Sequence, residues 1–88
     1  MDYEKIVHAL IDDIVNDPKS ILIRVSEGTS PKDILIIIAA EKEDTARLIG
    51  HKGIIANALR ETVGIAGKSE GKRVHIKFES FEEDKVGE

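Results

Sequence analysis

Cysteine and tryptophan are both absent from the 88 residues, and the aromatic side chains are confined to Tyr3, Phe78 and Phe81. Without thiols there is no disulfide, no thiolate metal ligand and no cysteine nucleophile, a composition that fits a reducing compartment. Long apolar runs are missing as well. The longest, Ile34 to Ala40, has seven residues, far short of the roughly 20 that a membrane-spanning helix needs. Asp2 and Glu4 stand where a secretory leader would carry basic residues ahead of an apolar stretch, so a cytoplasmic protein without a leader is expected. Metal-ligand spacing is equally poor, because His8 has only Asp12 at helical distance, and a solvated histidine is the simpler reading.

Catalytic constellations are also wanting. Asp12-Asp13 and Glu82-Glu83-Asp84 are carboxylate runs with no basic or metal-binding partner nearby in sequence, which is the pattern of a solvated surface. Gly50-His51-Lys52-Gly53 is too short for a nucleotidase phosphate loop and has no Ser or Thr after its lysine. No nucleophile, base and oxyanion donor occur together, so a non-catalytic protein is expected.

What is present is hydrophobic periodicity on a chain long enough for one domain with a thin core. Tyr3, Ile6, Val7, Leu10, Ile11, Ile14 and Val15 recur at helical spacing, with Glu4, Lys5, His8, Asp12 and Asp13 opposite, which predicts an amphipathic helix. Asn16-Asp17-Pro18 should end it, since proline turns the preceding residue away from helical angles. Ile21, Ile23 and Val25 alternate with Leu22, Arg24 and Ser26 as in a half-buried strand, and Glu27 to Asp33, with Gly28 and Pro31, reads as a turn. Ile34 to Ala40 is apolar throughout. A buried helix could look the same, but the length and four isoleucines favour a central strand. Arg73 to Phe78 alternates again, placing Val74, Ile76 and Phe78 on one face and Arg73, His75 and Lys77 on the other.

Between the second and third strands lie two helical segments joined by a glycine turn. Asp44 to Ile49 reads as a short helix with Asp44 at its N-cap, stopped at Gly50 by backbone angles that a Cβ disfavours. Ile55, Leu59, Val63 and Ala66 then mark a second helix, expected to end around Gly64 and Gly67. Its uncapped N-terminus offers free N–H groups and a positive dipole end to an anion, and His51 and Lys52 add donors at the same spot. A hairpin makes the first two strands antiparallel; the helix pair is long enough for a right-handed crossover, which makes the second and third parallel. Three helices should cover one sheet face, leaving Leu22, Arg24, Leu35, Ile37, Arg73, His75 and Lys77 on the other.

The core Ile49-Gly50-His51-Lys52-Gly53, with Ala56 and Leu59 behind it, resembles the Ile-Gly-x-x-Gly motif of the KH domain. The run from Gly53 to Arg60, followed by Gly67-Lys68 and Gly71-Lys72-Arg73-Val74, is similar to the small single-domain bacterial KH proteins of the KhpA (YlqC) RNA-binding family. The likeness spans the first helix to about Phe78. It implies an α+β fold, a single type II-like KH domain of order α-β-β-α-α-β over residues 1–79, while the acidic run over 80–88 reads as a flexible C-terminal tail. It further implies that about four unpaired nucleotides of single-stranded RNA lie in a groove, clamped at their sugar-phosphate backbone by the glycine loop. Gly50 and Gly53 would admit that backbone and His51 and Lys52 would face phosphates. Ile49, Ile54 and Ile36 or Ile38 would carry bases while backbone groups of the second strand read their edges. Asn57 and Arg60 would extend the polar contact, and Arg47 would add to the basic surface. No cofactor or metal is implied.

Two departures bear on specificity. Family loops often place a basic residue just after the second glycine, where this chain has Ile54. The three aromatics also lie outside the expected groove, so stacking worth about 1–3 kcal/mol per base is not expected, and low sequence specificity follows. Net charge is −4, yet residues 42–77 carry eight basic against four acidic side chains and the remainder five against thirteen. The local excess of cations coincides with the glycine turn and suits salt-dependent RNA binding. The resemblance implies a post-transcriptional regulator or RNA chaperone, acting as a homodimer or with a partner like the larger KH protein KhpB (Jag/EloR). The rival reading is a protein interaction module, using Leu22, Leu35 and Ile37 on an uncovered sheet face or the second helix of the pair with Ala56 and Ala58.

Overall fold

The computed structural model describes residues 1–81, so most of the expected acidic tail lies outside the described residues. Among those described, the elements run α1 (Tyr3–Ile11), a 3-10 turn (Pro18–Ser20), β1 (Leu22–Glu27), β2 (Asp33–Ala40), α2 (Lys42–Ile49), a second 3-10 turn (His51–Gly53), α3 (Ile54–Lys68) and β3 (Arg73–Ser80). The sheet order is β1-β2-β3. β1 is antiparallel to β2, with Ile23 opposite Ile38, and β2 is parallel to β3, with Ile36 beside Ile76. This is the mixed sheet and element order that the periodicities predict.

The apolar run of β2 is explained by its central place. Ile34, Ile36, Ile38 and Ala40 face the helices and are buried, whereas Leu35, Ile37 and Ala39 lie on the opposite face and are half-buried. Tyr3, Val7 and Ile11 from α1, Leu48 from α2, Leu59 and Val63 from α3, and Ile76 from β3 complete one core on the helical side. Each fully buried aliphatic side chain contributes about 1.5–3 kcal/mol relative to exposure. Among the described residues, all helices therefore pack on one face and the other is left uncovered, as the alternation of Arg73, His75 and Lys77 with Val74, Ile76 and Phe78 anticipates.

Three helix boundaries differ from expectation, each for a tertiary reason. α1 stops at Ile11 rather than Val15. The chain is drawn off the helix because the amides of Asn16 and Asp17 donate to the carboxylate of Asp44, at 2.8 and 3.1 Å. Val15 still enters the core. The same bonds explain the second difference. Asp44 is not an N-cap: α2 begins at Lys42 behind Glu41, and Asp44, buried in its first turn, spends its oxygens on the loop after α1. Thirdly, α3 runs through Gly64 and past Gly67 to Lys68. Gly67 lies where the helix meets β3, and a Cβ there would stand 2.5 Å from Cγ2 of Val74, so this glycine serves close packing rather than termination.

Candidate nucleic-acid interface

The chain between α2 and α3 turns on two glycines. Gly50 closes α2, its N–H donating to the Ala46 carbonyl at 2.9 Å, and adopts φ 76°, ψ 174°. A Cβ there would collide with the side chain of Ile55. Lys52, at φ 56°, is the non-glycine residue with positive φ among those described. Gly53 follows at φ 79°, ψ 16° and opens α3 with no side-chain acceptor for the amides of its first turn. The turn closes on itself through Gly53 N–H to the Gly50 carbonyl, 3.1 Å. His51 and Lys52 are exposed. The result is the N-terminus of a 15-residue helix, with a positive dipole end and two outward cationic or donor side chains.

Apolar and basic groups flank the turn. Ile54 is 64% exposed and Ile49 38%, so the isoleucines on either side of the glycines face solvent. Arg47, one helical turn before Gly50, is half exposed and lies 3.9 Å from Asp44. The loop thus offers charge at its tip and aliphatic surface at its shoulders. Ile36 and Ile38 do not join it. Both are fully buried beneath the helices, and β2 is paired along both edges, so neither these side chains nor β2 backbone groups reach a ligand. Central position in the sheet, not the apolar character of the segment, decides this.

The edge strand beside α3 is β3. Arg60, two turns into α3, sends Nη2 to the carbonyl of Ile76 at 3.3 Å and Nη1 to Oδ1 of Asn57 at 3.5 Å. Its guanidinium carbon stands 5.6 Å from the centre of the Phe78 ring, within the range of a cation–π contact. Arg60 and Asn57 are brought together as a pair, held against the sheet edge, and Phe78 takes a supporting role that sequence reading missed. The strand order implied by a hairpin followed by a crossover already makes β3 an edge, which is the signal that could have found it. The predicted residues are therefore arranged as a loop cluster (Gly50, His51, Lys52, Gly53, with Ile49, Ile54 and Arg47 around it) and, further along α3, the pair Asn57 and Arg60.

Other charged groups are engaged in holding the fold. Asp33, at the start of β2, accepts from the hydroxyls of Thr29 and Ser30 at 3.0 and 3.2 Å. Its second oxygen lies 2.9 Å from Nε of Arg73 and 3.7 Å from Nε2 of His75. The Thr29 hydroxyl, then Arg73, Ser30 and His75, hold its carboxyl below the usual carboxylate range against an opposing effect of burial. Glu70 accepts from the Tyr3 hydroxyl at 2.9 Å and meets the N-terminal amine at 3.4 Å, which lowers its pKa. Burial, and then Glu70, raise that of Tyr3. His8 is not simply solvated, because its Nδ1 lies 2.9 Å from Asp12. Among the described residues no cluster of His, Cys, Asp or Glu could hold a metal, and no helix is long and apolar enough to cross a membrane.

A three-stranded mixed sheet with helices on one face, in the order α-β-β-α-α-β and with a Gly-x-x-Gly turn between its second and third helices, defines a type II KH domain. Residues 4–78 match the family described as KhpA/KhpB, KH domain, and the chain belongs to it. It is 28% identical over 75 residues to the RNA-binding protein KhpA of Clostridium acetobutylicum, covering 85% of this chain and 97% of that protein. The RNA-binding proteins KhpA of Listeria monocytogenes and Listeria innocua are 26% identical over 75 residues, again 85% of this chain and 96% of theirs. No solved structure gives a significant match.

Proposed function

We propose that this protein binds single-stranded RNA without catalysing a reaction on it, gripping the sugar-phosphate backbone at Gly50-His51-Lys52-Gly53. The observation that carries the reading is the opening of α3, where a left-handed glycine leaves the first-turn amides beyond Ile54, whose N–H is taken by the His51 carbonyl, without a side-chain acceptor beside two exposed donor side chains. An anion supplies what the chain does not. Family membership and the names of the KhpA relatives point the same way. Because the loop addresses backbone rather than bases, affinity is salt-dependent and sequence specificity low. A role as post-transcriptional regulator or RNA chaperone, with a KhpB-like partner or a second copy raising avidity, agrees with that mode. Such a protein works where transcripts are, in the cytoplasm.

The test is the double substitution of His51 and Lys52 by Asp. Affinity for a short unpaired RNA should fall about tenfold or more as two phosphate contacts turn repulsive, while the melting temperature stays close to that of the wild type, since both side chains are exposed. Unchanged RNA affinity would move the site elsewhere.

A second reading, a self-association module, draws on the surface between α1 and α3. A cleft of about 180 Å³ there is lined by Leu10, Ile14, Ile55, Ala58, Leu59 and Thr62. Sedimentation with and without RNA separates the two, and a monomer at high concentration in both conditions excludes the second.

A further inference from the structure

We propose that α3 carries a guanine-reading subsite beyond the glycine loop, formed by Arg60, Glu61, Gly64, Ile65 and Lys68. The inference rests on the RNA-binding reading and adds to it one base preference. These residues line an open cleft of about 370 Å³ on the helix surface. Gly64 forms its floor: a Cβ there would point into empty space, so the missing side chain leaves a depression rather than a packing contact. Ile65, 70% exposed, supplies an apolar wall for the face of a flat ring. Gly64 lies eleven residues after Gly53, about 16 Å along the helix axis, a distance that a strand of a few nucleotides held at the loop can span.

The polar groups around this floor select among bases. Arg60 is held by the Ile76 and Asn57 oxygens and by the Phe78 ring. Two of its five N–H donors are used, leaving a preset fork. Such a fork matches two adjacent acceptors, and guanine presents O6 and N7 side by side, whereas adenine sets a donor beside N7. Glu61, which has no hydrogen bond or ion pair among the described residues, offers a carboxylate, and the N1–H and amino group of guanine are donors suited to it. Cytosine pairs its acceptors with a single donating amino group, and uracil separates its acceptors with N–H. Lys68, likewise without a partner, stands at the far end of the cleft for the adjoining phosphate. Guanine is the base that satisfies both signs of the site at once.

Fluorescence polarisation of labelled RNA tests this. The wild-type chain should bind an unpaired oligoadenosine bearing a guanosine run on the order of tenfold more tightly than oligoadenosine alone. Gly64→Val, which fills the floor, and Arg60→Lys, which keeps the charge but loses the fork, should each bring the two affinities together, with a melting curve confirming the fold. Guanosine monophosphate alone should compete poorly, because it lacks the strand held by the loop. Equal binding of the two oligonucleotides by the wild type overturns the subsite and leaves the loop reading intact. Absence of binding to either overturns both. Retention of the preference in Gly64→Val, competition by the mononucleotide as strong as by the guanosine oligonucleotide, or a change in sedimentation in place of a change in preference, which would mark the cleft as a contact between copies, each overturns the subsite.

Discussion

Two polar corners of this small domain are built from similar ingredients and behave in opposite ways. The hairpin turn between β1 and β2 is tied up by its own residues and by the chain entering β3: Gly28 N–H reaches the Asp33 carbonyl at 2.7 Å, Asp33 N–H the Ser30 carbonyl at 3.0 Å, and Arg73 N–H the Lys32 carbonyl at 2.8 Å. Lys72 adds its ammonium to the Pro31 carbonyl at 3.0 Å, and Thr29 and Ser30 bind the Asp33 side chain. The turn between α2 and α3 is equally tight in its backbone, yet it sends His51 and Lys52 outward and puts a residue without a side chain where a cap would sit. A corner whose donors and acceptors are matched within the chain is a joint. One whose donors are left over is the place proposed for the RNA backbone.

Substitutions can break or sharpen that contrast. The largest effect is expected at Gly50. Replacement by Ala imposes a positive φ on a Cβ that also strikes Ile55, and unfolding free energy measured in urea should fall by about 2–4 kcal/mol, with RNA binding lost alongside. Gly53→Ala meets no neighbouring atom, so only the left-handed angle remains, and about 1 kcal/mol should be lost. A loss as large as at Gly50 would mean that the outer half of the turn is a joint after all. The smallest effect should be that of Asp33→Asn, a loss present at neutral pH that shrinks as the medium is acidified. The folded Asp33 carboxyl holds its proton less tightly than the unfolded one. The unfolded chain therefore binds more protons as pH falls below about 4, and stability drops with it. Melts across that range should be less pH-dependent in the Asn variant, with a residual slope from Glu70, whose carboxyl is also held low, chiefly by Tyr3.

Much of this architecture is legible in the amino-acid order because the periodicities are unambiguous. Alternation in Arg73 to Phe78 assigned its two faces, and the unbroken apolar run of Ile34 to Ala40 put that strand in the middle. The glycine pair announced the loop, since few other residues accept those angles. What could not be read were bonds between distant segments. Asp44 looks like a cap to anyone who sees only its neighbours, and only the folded chain shows it holding Asn16 and Asp17. The contact of Gly67 with Val74, the support of Arg60 by Phe78, and the removal of Ile36 and Ile38 from any ligand are likewise properties of packing. The first had no sign in the residues, whereas the other two follow from the strand order and not from residue type.

The parallel pairing of β2 with β3 has a temporal consequence. Residues 41–72, which include the loop, form the crossover between these two strands, and Gly67 and Arg60 lean on Val74 and Ile76 of the strand that is made last. Pairs such as Ile36 beside Ile76 form only after a long stretch of chain has been closed. A chain synthesised only as far as α3 thus lacks the strand against which Arg60 and Gly67 rest, and the setting of the glycine turn is completed only when β3 is added.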